Sequence, residues 1–277
     1  MDKGAARRGL LLVGGGKMGS ALVEGWLEQG LAGADITVVE PDVAQALLLV
    51  DRLGVRVVNG NEDLVGSAPE VVVFAVKPQV MGDVMPPYVR FVHPDTVFLS
   101  IAAGRNIASF ERVLGEAAAI VRAMPNTPAA VRRGITVACP NVRVTQCQIT
   151  RCQQLLEAVG EVAWIDDESL MDAVTGVSGS GPAYVFLLTE CLAAAGVVAG
   201  LPEDLAARLA RATVAGSGEL MRRSADAPDI LRRNVTSPGG TTAAALDVLM
   251  AKGPEGLPEL LNKAVSAATQ RGRYLAK

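Results

Sequence analysis

The chain has 277 residues, of which 50% are hydrophobic and 20% are charged, and its formal net charge is -3. This composition is typical of a folded chain with a sizeable core and excludes a disordered protein. The charge balance provides no basic surface, so we expect neither nucleic acid nor a membrane as a partner.

The cysteines and the single histidine limit the metal and redox chemistry. Cys139, Cys147, Cys152 and Cys191 form no C-x-x-C pair, and His93 is the only histidine. We therefore expect no metal site, and free thiols as in a reduced cytoplasm. The apolar run near the N-terminus is short and interrupted by glycines, which argues against a signal peptide or a membrane span and favours a cytoplasmic protein.

Short apolar runs alternate with helical patterns in the first part of the chain. The patterns predict helices at 17–29 and 42–53, and buried strands at 9–15, 36–39, 55–58, 71–76 and 97–101. This alternation continues to about residue 165 and predicts an α/β fold with a parallel, doubly wound sheet. We place a Rossmann-like dinucleotide-binding domain at residues 1–166.

Strand patterns disappear after about residue 167, where Ala, Leu and Val dominate. The stretch 182–199 is apolar on nearly every side, and a helix of this kind must be buried on every side. A segment as short as 167–277 cannot easily bury it alone. We predict that residues 167–277 form an all-helical domain for substrate binding and dimerisation, whose central helix is covered by a second subunit. A compact monomeric bundle is the alternative.

The strongest motif is V-G-G-G-K-M-G at 13–19, where Gly14, Gly16 and Gly19 fit G-x-G-x-x-G between a strand and a helix. Gly14 permits the tight turn, Gly16 lets a diphosphate approach the backbone, and Gly19 lets the helix pack against the sheet. The helix N-terminus offers N–H groups and partial positive charge to the diphosphate. The motif predicts a nicotinamide dinucleotide cofactor.

Residues at three strand ends are expected to face this cofactor. Glu40 ends the second strand about twenty residues past the glycines, where a carboxylate accepts hydrogen bonds from the ribose hydroxyls of NAD. The same carboxylate would repel the additional phosphate of NADP, so Glu40 favours NADH over NADPH. The alternative is that Glu40 is an ordinary surface acid at a strand end. Lys77 and Ala103 follow the next strand ends, at the edge where open parallel sheets bind ligands. Lys77 could also be an ordinary exposed lysine.

Two segments rich in Gly and hydroxyl residues precede helices in the second domain, at 176–184 and 234–242. We interpret both as loops that leave N–H groups free at a helix N-terminus, an arrangement that suits a small carboxylate. Ordinary capped turns are the alternative. Hydroxyl groups cluster in the two segments, at Ser178, Ser180, Ser237, Thr241 and Thr242.

The reaction must proceed with few of the usual acid–base side chains. His93 lies in what looks like a surface turn, and no lysine occurs between Lys77 and Lys252. Hydride transfer to a preformed C=N bond needs little acid–base help, because positioning and charge can supply much of the rate. The sequence therefore favours an oxidoreductase that acts on such a bond.

Six motifs together resemble the pyrroline-5-carboxylate reductase family over nearly the whole chain. They are V-G-G-G-K-M-G (13–19), A-V-K-P (75–78), S-I-A-A-G (100–104), R-A-M-P-N-T-P (122–128), D-A-V-T-G-V-S-G-S-G-P-A-Y (172–184) and S-P-G-G-T-T (237–242). The resemblance implies reduction of 1-pyrroline-5-carboxylate to L-proline with NAD(P)H, the last step of proline biosynthesis. It also implies a homodimer with interwoven helical domains, assembled further into an oligomer such as a decamer.

The resemblance also assigns site residues. It implies cofactor contacts at Gly14, Gly15, Gly16, Lys17, Met18, Gly19, Asn61, Ala75, Val76, Lys77, Pro78, Ala102 and Ala103, with Asn234 supplied by the partner subunit. It implies substrate contacts at Glu168, Ser178, Gly179, Ser180, Gly181, Ser237, Gly239, Gly240, Thr241 and Thr242. Among these, the Thr242 hydroxyl resembles the group that bonds the ring nitrogen, so Thr242 is the predicted catalytic residue.

Two other functions fit parts of the sequence. A β-hydroxyacid dehydrogenase shares the two-domain plan, but its kind carries a catalytic lysine on the long helix after the glycine-rich loop, and 182–199 contains no lysine. A nicotinamide-sensing protein without catalysis would leave Thr242 and both carboxylate loops without a purpose.

Overall fold

The computed structural model describes residues 9–66 and 68–275, which form two compact units. The first unit extends to Gly179 and includes the stretch from Ala268 onward, and the second unit spans Ser180–Ala267. The domain boundary at 166/167 remains a prediction.

The first unit is built on an eight-stranded sheet with the strand order β3-β2-β1-β4-β5-β6-β7-β8. The strands are Leu10–Val13 (β1), Ile36–Val39 (β2), Arg56–Val58 (β3), Val71–Phe74 (β4), Val97–Ser100 (β5), Ala119–Met124 (β6), Gly134–Pro140 (β7) and Gly160–Trp164 (β8). All five strands predicted from the sequence are present, and the α/β class is confirmed. The apolar runs of β1 and β4 are buried along their whole length, as expected for strands with packing on both faces.

Two strands of this sheet, β7 and β8, run against the other six. The pairing between β6 and β7 is antiparallel, whereas every other pairing is parallel. The predicted parallel sheet is confirmed for six of the seven strand pairings, and the β6–β7 pair is the exception. The link at 125–133 holds only a short 3₁₀ turn, Thr127–Val131, and a parallel crossover needs a dozen or more residues.

Among the described residues, six α-helices lie wholly within the first unit. They are Lys17–Glu28 (α1), Val43–Leu53 (α2), Met81–Val84 (α3), Ile107–Leu114 (α4), Gln146–Glu157 (α5) and Met171–Val174 (α6). Helix α1 begins after Gly16 and has no side-chain cap, whereas the Asp42 side chain caps α2 by accepting from the Gln45 N–H. The first N–H groups of α1 therefore remain available to a ligand.

The regular elements among the described residues of the second unit are all helices, as predicted. Its helices are Gly181–Val198 (α7), Glu203–Arg223 (α8), Pro228–Asn234 (α9), Thr241–Leu249 (α10) and Leu257–Leu275 (α11), of which α11 ends in the first unit. Helix α7 has no buried residue in the single chain, and Phe186 is 61% exposed. An exposed apolar surface of this kind is typical of a protein–protein interface.

The helical run Glu168–Val198 is the one stretch of the described residues that is long and apolar enough to cross a membrane by length and composition. It includes residues 176–181, the part of the segment 176–184 that the sequence predicted to be an open loop. That interpretation was wrong, because Thr175–Gly179 forms a π-helical turn that leads through Ser180 into α7. Segments of this kind are frequent at functional sites.

Candidate functional site

The glycine-rich loop between β1 and α1 forms a cradle that side chains would fill. Gly14 has φ +100°, and a Cβ there would lie 2.8 Å from Val76 Cγ1. A Cβ on Gly19 would collide with the Gly14 carbonyl oxygen, whereas one on Gly16 would meet nothing within 4 Å. The turn therefore requires glycine at position 14, and the packing of α1 requires glycine at position 19. The space at Gly16 is open to a diphosphate.

A cleft of about 560 Å³ lies beyond the carboxyl ends of β1, β2 and β4. Seven predicted cofactor residues line it, namely Gly14, Gly16, Glu40, Asn61, Ala75, Val76 and Lys77. The sequence analysis missed other lining residues, among them Pro41, Asn59, Gly60, Val80 and Tyr88. A dinucleotide fits this edge of a doubly wound sheet.

A larger depression of about 660 Å³ lies elsewhere, beside the start of β1. None of the predicted site residues lines it. Because open parallel sheets bind ligands at the carboxyl ends of their strands, the smaller cleft is the candidate site.

The Glu40 carboxylate is buried at the edge of the cleft, with 9% of the residue exposed. Its Oε2 accepts from the Gly15 N–H at 2.7 Å, and its Oε1 accepts from the Asp42 N–H at 2.9 Å. The sequence analysis missed this second role, which depends on the fold bringing β2 beside the loop. Each carboxylate oxygen has a further lone pair, so capacity for ribose hydroxyls remains.

The other predicted cofactor residues of the first unit surround the loop and the strand ends. Lys17 is exposed at the start of α1, and Met18 is half-buried against the core. Pro78 begins a 3₁₀ turn, and its carbonyl oxygen accepts from Arg105 Nε and Nη2 at 3.1 and 2.8 Å. Ala102 is buried and Ala103 is half-exposed.

Glu168 is part of a partly buried polar contact in the first unit. Its Oε1 accepts from Arg122 Nη1 at 2.8 Å and from the Ile107 N–H at 2.8 Å, where α4 begins. The Arg122 side chain is 7% exposed and that of Glu168 is 27% exposed. The carboxylate therefore ties β6 to the first turn of α4.

Ser178 and Gly179 end the first unit, and Ser180 and Gly181 begin the second. The Ser178 hydroxyl donates to the Val174 carbonyl at 3.2 Å, and Ser180 stands at the N-cap of α7 without a side-chain cap bond.

In the second unit, the predicted substrate residues gather at the N-terminus of α10. Gly240 is its N-cap, Thr241 and Thr242 form its first turn, and Gly239 has φ +70°. A Cβ on Gly240 would collide with Ser237 Oγ. The first N–H groups of a helix lack intrahelical acceptors, so this turn is suited to an anion. Asn234 is the last residue of α9 and is exposed.

The acid–base candidates are Tyr88, which lines the cleft, and His93, which lies on the surface. Burial raises the pKa of Tyr88 to about 12, so its phenol stays neutral at physiological pH. His93 lies in an exposed turn, and its Nδ1 accepts from the Asp95 N–H at 3.2 Å. Neither group supplies a general base to the cleft.

The sheet topology, glycine cradle and carboxyl-edge cleft define a dinucleotide-dependent oxidoreductase with a Rossmann-like first unit and a helical second unit. A family model described as NADP oxidoreductase, coenzyme F420-dependent, matches residues 9–104, and one described as pyrroline-5-carboxylate reductase dimerisation matches residues 168–275.

Relatives match nearly the whole chain. A pyrroline-5-carboxylate reductase of Pseudomonas aeruginosa is 41% identical to this chain, and the match covers 97% of each of the two chains. The pyrroline-5-carboxylate reductase of Synechocystis is 40% identical, and the match covers 96% of this chain and 97% of the relative. The solved Coxiella burnetii reductase has a TM-score of 0.91 and 33% identity, covering 98% of this chain and 100% of that one. The Plasmodium falciparum enzyme, solved with NADP bound, has a TM-score of 0.81 and 30% identity, covering 99% of this chain and 100% of that one. The chain belongs to the pyrroline-5-carboxylate reductase family.

Proposed function

We propose that this protein reduces 1-pyrroline-5-carboxylate to L-proline with NAD(P)H, the last step of proline biosynthesis. The observation that carries the proposal is the match to pyrroline-5-carboxylate reductases over 97% of the chain. The glycine cradle and the cleft beside it fit the dinucleotide, which supplies a hydride when it is bound.

The residues of the chain have separate tasks in this proposal. Gly14 to Gly19 hold the diphosphate, and Asn61, Ala75 to Pro78, Ala102 and Ala103 line the rest of the dinucleotide. The α10 N-terminus, Ser237 and the 178–181 segment bind the substrate carboxylate, and Glu168 lies near the product. Asn234 reaches the cofactor of the partner subunit. The Thr242 hydroxyl holds the ring nitrogen, so that positioning rather than a general base lowers the barrier.

We propose that NADH is preferred over NADPH. Glu40 lines the cleft at the end of β2, where the adenosine ribose lies in this fold. The first cation that follows it along α2 is Arg52, which pairs with Glu24 at 3.2 Å near the far end of the helix. No positive charge on α2 therefore offsets the repulsion between Glu40 and a 2′-phosphate.

The dimerisation match at 168–275 supports a homodimer, which would cover the apolar surface of α7. We further propose that dimers assemble into a larger oligomer such as a decamer, that the domain boundary lies at 166/167, and that the protein is cytoplasmic. Burial of α7 against another subunit would also explain why the run Glu168–Val198 is so apolar, with no need for a membrane.

The decisive experiment follows NADH and NADPH oxidation with 1-pyrroline-5-carboxylate and with its six-membered homologue. We expect turnover with the five-membered substrate and L-proline as the product. Cofactor binding without turnover of either imine would favour a sensing protein instead. Turnover of a β-hydroxyacid would favour the dehydrogenase, against which the absence of lysine from α7 already argues.

A further inference from the structure

Side chains hold both polar groups of Gly15, in the middle of the glycine-rich loop. Its N–H donates to Glu40 Oε2 at 2.7 Å. Its carbonyl oxygen accepts from Ser20 Oγ at 2.8 Å and from Gln45 Nε2 at 2.6 Å. Gln45 Nε2 also lies 3.1 Å from Ser20 Oγ, to which it donates. The three groups close a triangle that ties the loop to both α1 and α2.

The position of this carbonyl sets the direction of the next N–H group. In a planar trans peptide, the carbonyl oxygen of Gly15 and the N–H of Gly16 point in opposite directions. Ser20 and Gln45 draw the oxygen to one side of the loop, so the Gly16 N–H is turned to the other. Gly16 lines the cleft, and a Cβ built on it would meet nothing within 4 Å.

The start of α2 leaves the Gln45 amide free for this contact. Gln45 is the third residue of α2, and its N–H is capped by Asp42 Oδ1 at 2.8 Å. A glutamine at this position often reaches back to the N–H of the capping residue. Here the Asp42 N–H donates to Glu40 Oε1 instead, and the Gln45 side chain bonds Gly15.

We propose that Gln45 is a positioning residue for the dinucleotide, acting with Ser20 to aim the Gly16 N–H at the diphosphate. The proposal rests on the cofactor assigned under the proposed function. Because NADH and NADPH share the diphosphate, Gln45 governs the affinity for both to the same degree. It differs in this respect from Glu40, which we expect to set the ratio between them.

The test is a binding titration of NADH and NADPH by fluorescence, on the purified protein without an imine. We expect Gln45→Met to raise both dissociation constants about tenfold, the size expected for one lost positioned hydrogen bond. Their ratio, the KM of the imine and the kcat at saturating cofactor should not change. The control is Gln146→Met, which alters an exposed glutamine in the first turn of α5 and should leave both constants as they are.

Two further variants separate positioning from general stability. Gln45→Glu keeps the shape but lacks amide donors, so it should weaken cofactor binding at least as much as Gln45→Met. Since Ser20 and Gln45 bond the same oxygen, the loss in Ser20→Ala/Gln45→Met should differ from the product of the single losses. Unchanged dissociation constants in both Gln45 variants, or a lower melting temperature alone, would overturn the proposal. If the natural protein bound neither cofactor, the proposed function would fail as well.

Discussion

Arg122 Nη1 donates to Glu168 Oε1 across 2.8 Å, and the same oxygen accepts the Ile107 N–H. The two side chains differ in exposure, since that of Arg122 is 7% exposed and that of Glu168 is 27% exposed. If Arg122 is removed, water can still reach and solvate the Glu168 carboxylate. If Glu168 is removed, water has little access to the buried Arg122 guanidinium.

This asymmetry predicts unequal costs for the two single variants. Glu168→Ala leaves a buried guanidinium unpaired and should lower the free energy of unfolding by about 3 kcal/mol or more. Arg122→Met leaves a partly hydrated carboxylate and should cost about half as much. Urea unfolding monitored by circular dichroism measures both values. Equal losses, or a larger loss for Arg122→Met, would contradict this account of the pair.

The sequence was sufficient to predict the elements whose signal is local. Strand β2 begins and ends at the predicted residues because Ile36–Val39 consists of β-branched residues bounded by two acidic ones, Asp35 and Glu40. The direction of β7 was not predictable in this way, because residues 134–140 have the same pattern in either direction. The glycines at 176–181 favoured a loop, yet Thr175–Gly179 forms a π-helical turn that leads through Ser180 into α7. The hydrogen bond between Glu40 and Gly15 joins residues far apart in the chain and depends on the fold.

Assembly should depend on the apolar surface of α7. Phe186→Glu places a charge on a residue that is 61% exposed in the single chain. If a second copy covers it, the lost burial of about 1.5–3 kcal/mol and the charge together should weaken association at least about a hundredfold. Light scattering at micromolar concentration should show a dimer or larger species for the natural protein and smaller species for the variant.

The matched control is Val142→Glu, which makes the same kind of change in the first unit at a residue that is 96% exposed. It should leave the molar mass unchanged. An active natural protein that scatters as a monomer would rule out the covered α7 surface.

Thr242 should affect turnover more than cofactor binding. If its hydroxyl holds the imine nitrogen, Thr242→Val should lower kcat about tenfold to a hundredfold and leave the cofactor KM nearly unchanged. Thr242→Ser keeps the hydroxyl and should restore most of the rate. Thr150→Val, which removes an exposed hydroxyl from α5, is the control. Full activity of Thr242→Val would remove this residue from the site.

The buried thiol of Cys152 should make the protein less stable in alkali. Burial raises its pKa from the ordinary value of 9.0 to about 12. A folded pKa raised in this way contributes stability that is complete below pH 9 and is lost as the pH rises towards 12, because only the unfolded thiol ionises in that window.

As the pH rises from 8 to 10, the free energy of unfolding should therefore fall less in Cys152→Ala than in the natural protein. The difference between the two proteins should grow by up to about 1.4 kcal/mol for each pH unit above 9. Urea unfolding at several pH values measures this difference, in which groups common to both proteins cancel. Cys147→Ala removes an exposed thiol and should follow the natural protein. Parallel pH profiles for Cys152→Ala and the natural protein would contradict the assignment.

Cofactor preference should follow Glu40. Its buried carboxylate can accept ribose hydroxyls, and charge-assisted bonds of this kind contribute about 1.5–3 kcal/mol each. A 2′-phosphate carries a charge of about -2, and like charges at about 4 Å cost roughly 1 kcal/mol in water and several times that near a protein surface. We expect at least about tenfold higher kcat/KM with NADH than with NADPH, since 1.4 kcal/mol is a factor of about ten.

The variant Glu40→Ser separates the two roles of this carboxylate. It also removes the acceptor for the Gly15 and Asp42 N–H groups, so the affinity for both cofactors should fall. The ratio of kcat/KM values is therefore the informative measurement, and it should move towards NADPH. Asp51→Asn removes one negative charge at an exposed position of the helix that follows Glu40, α2, and should leave the ratio unchanged. Equal or better use of NADPH by the natural protein would show that Glu40 serves only to hold the loop.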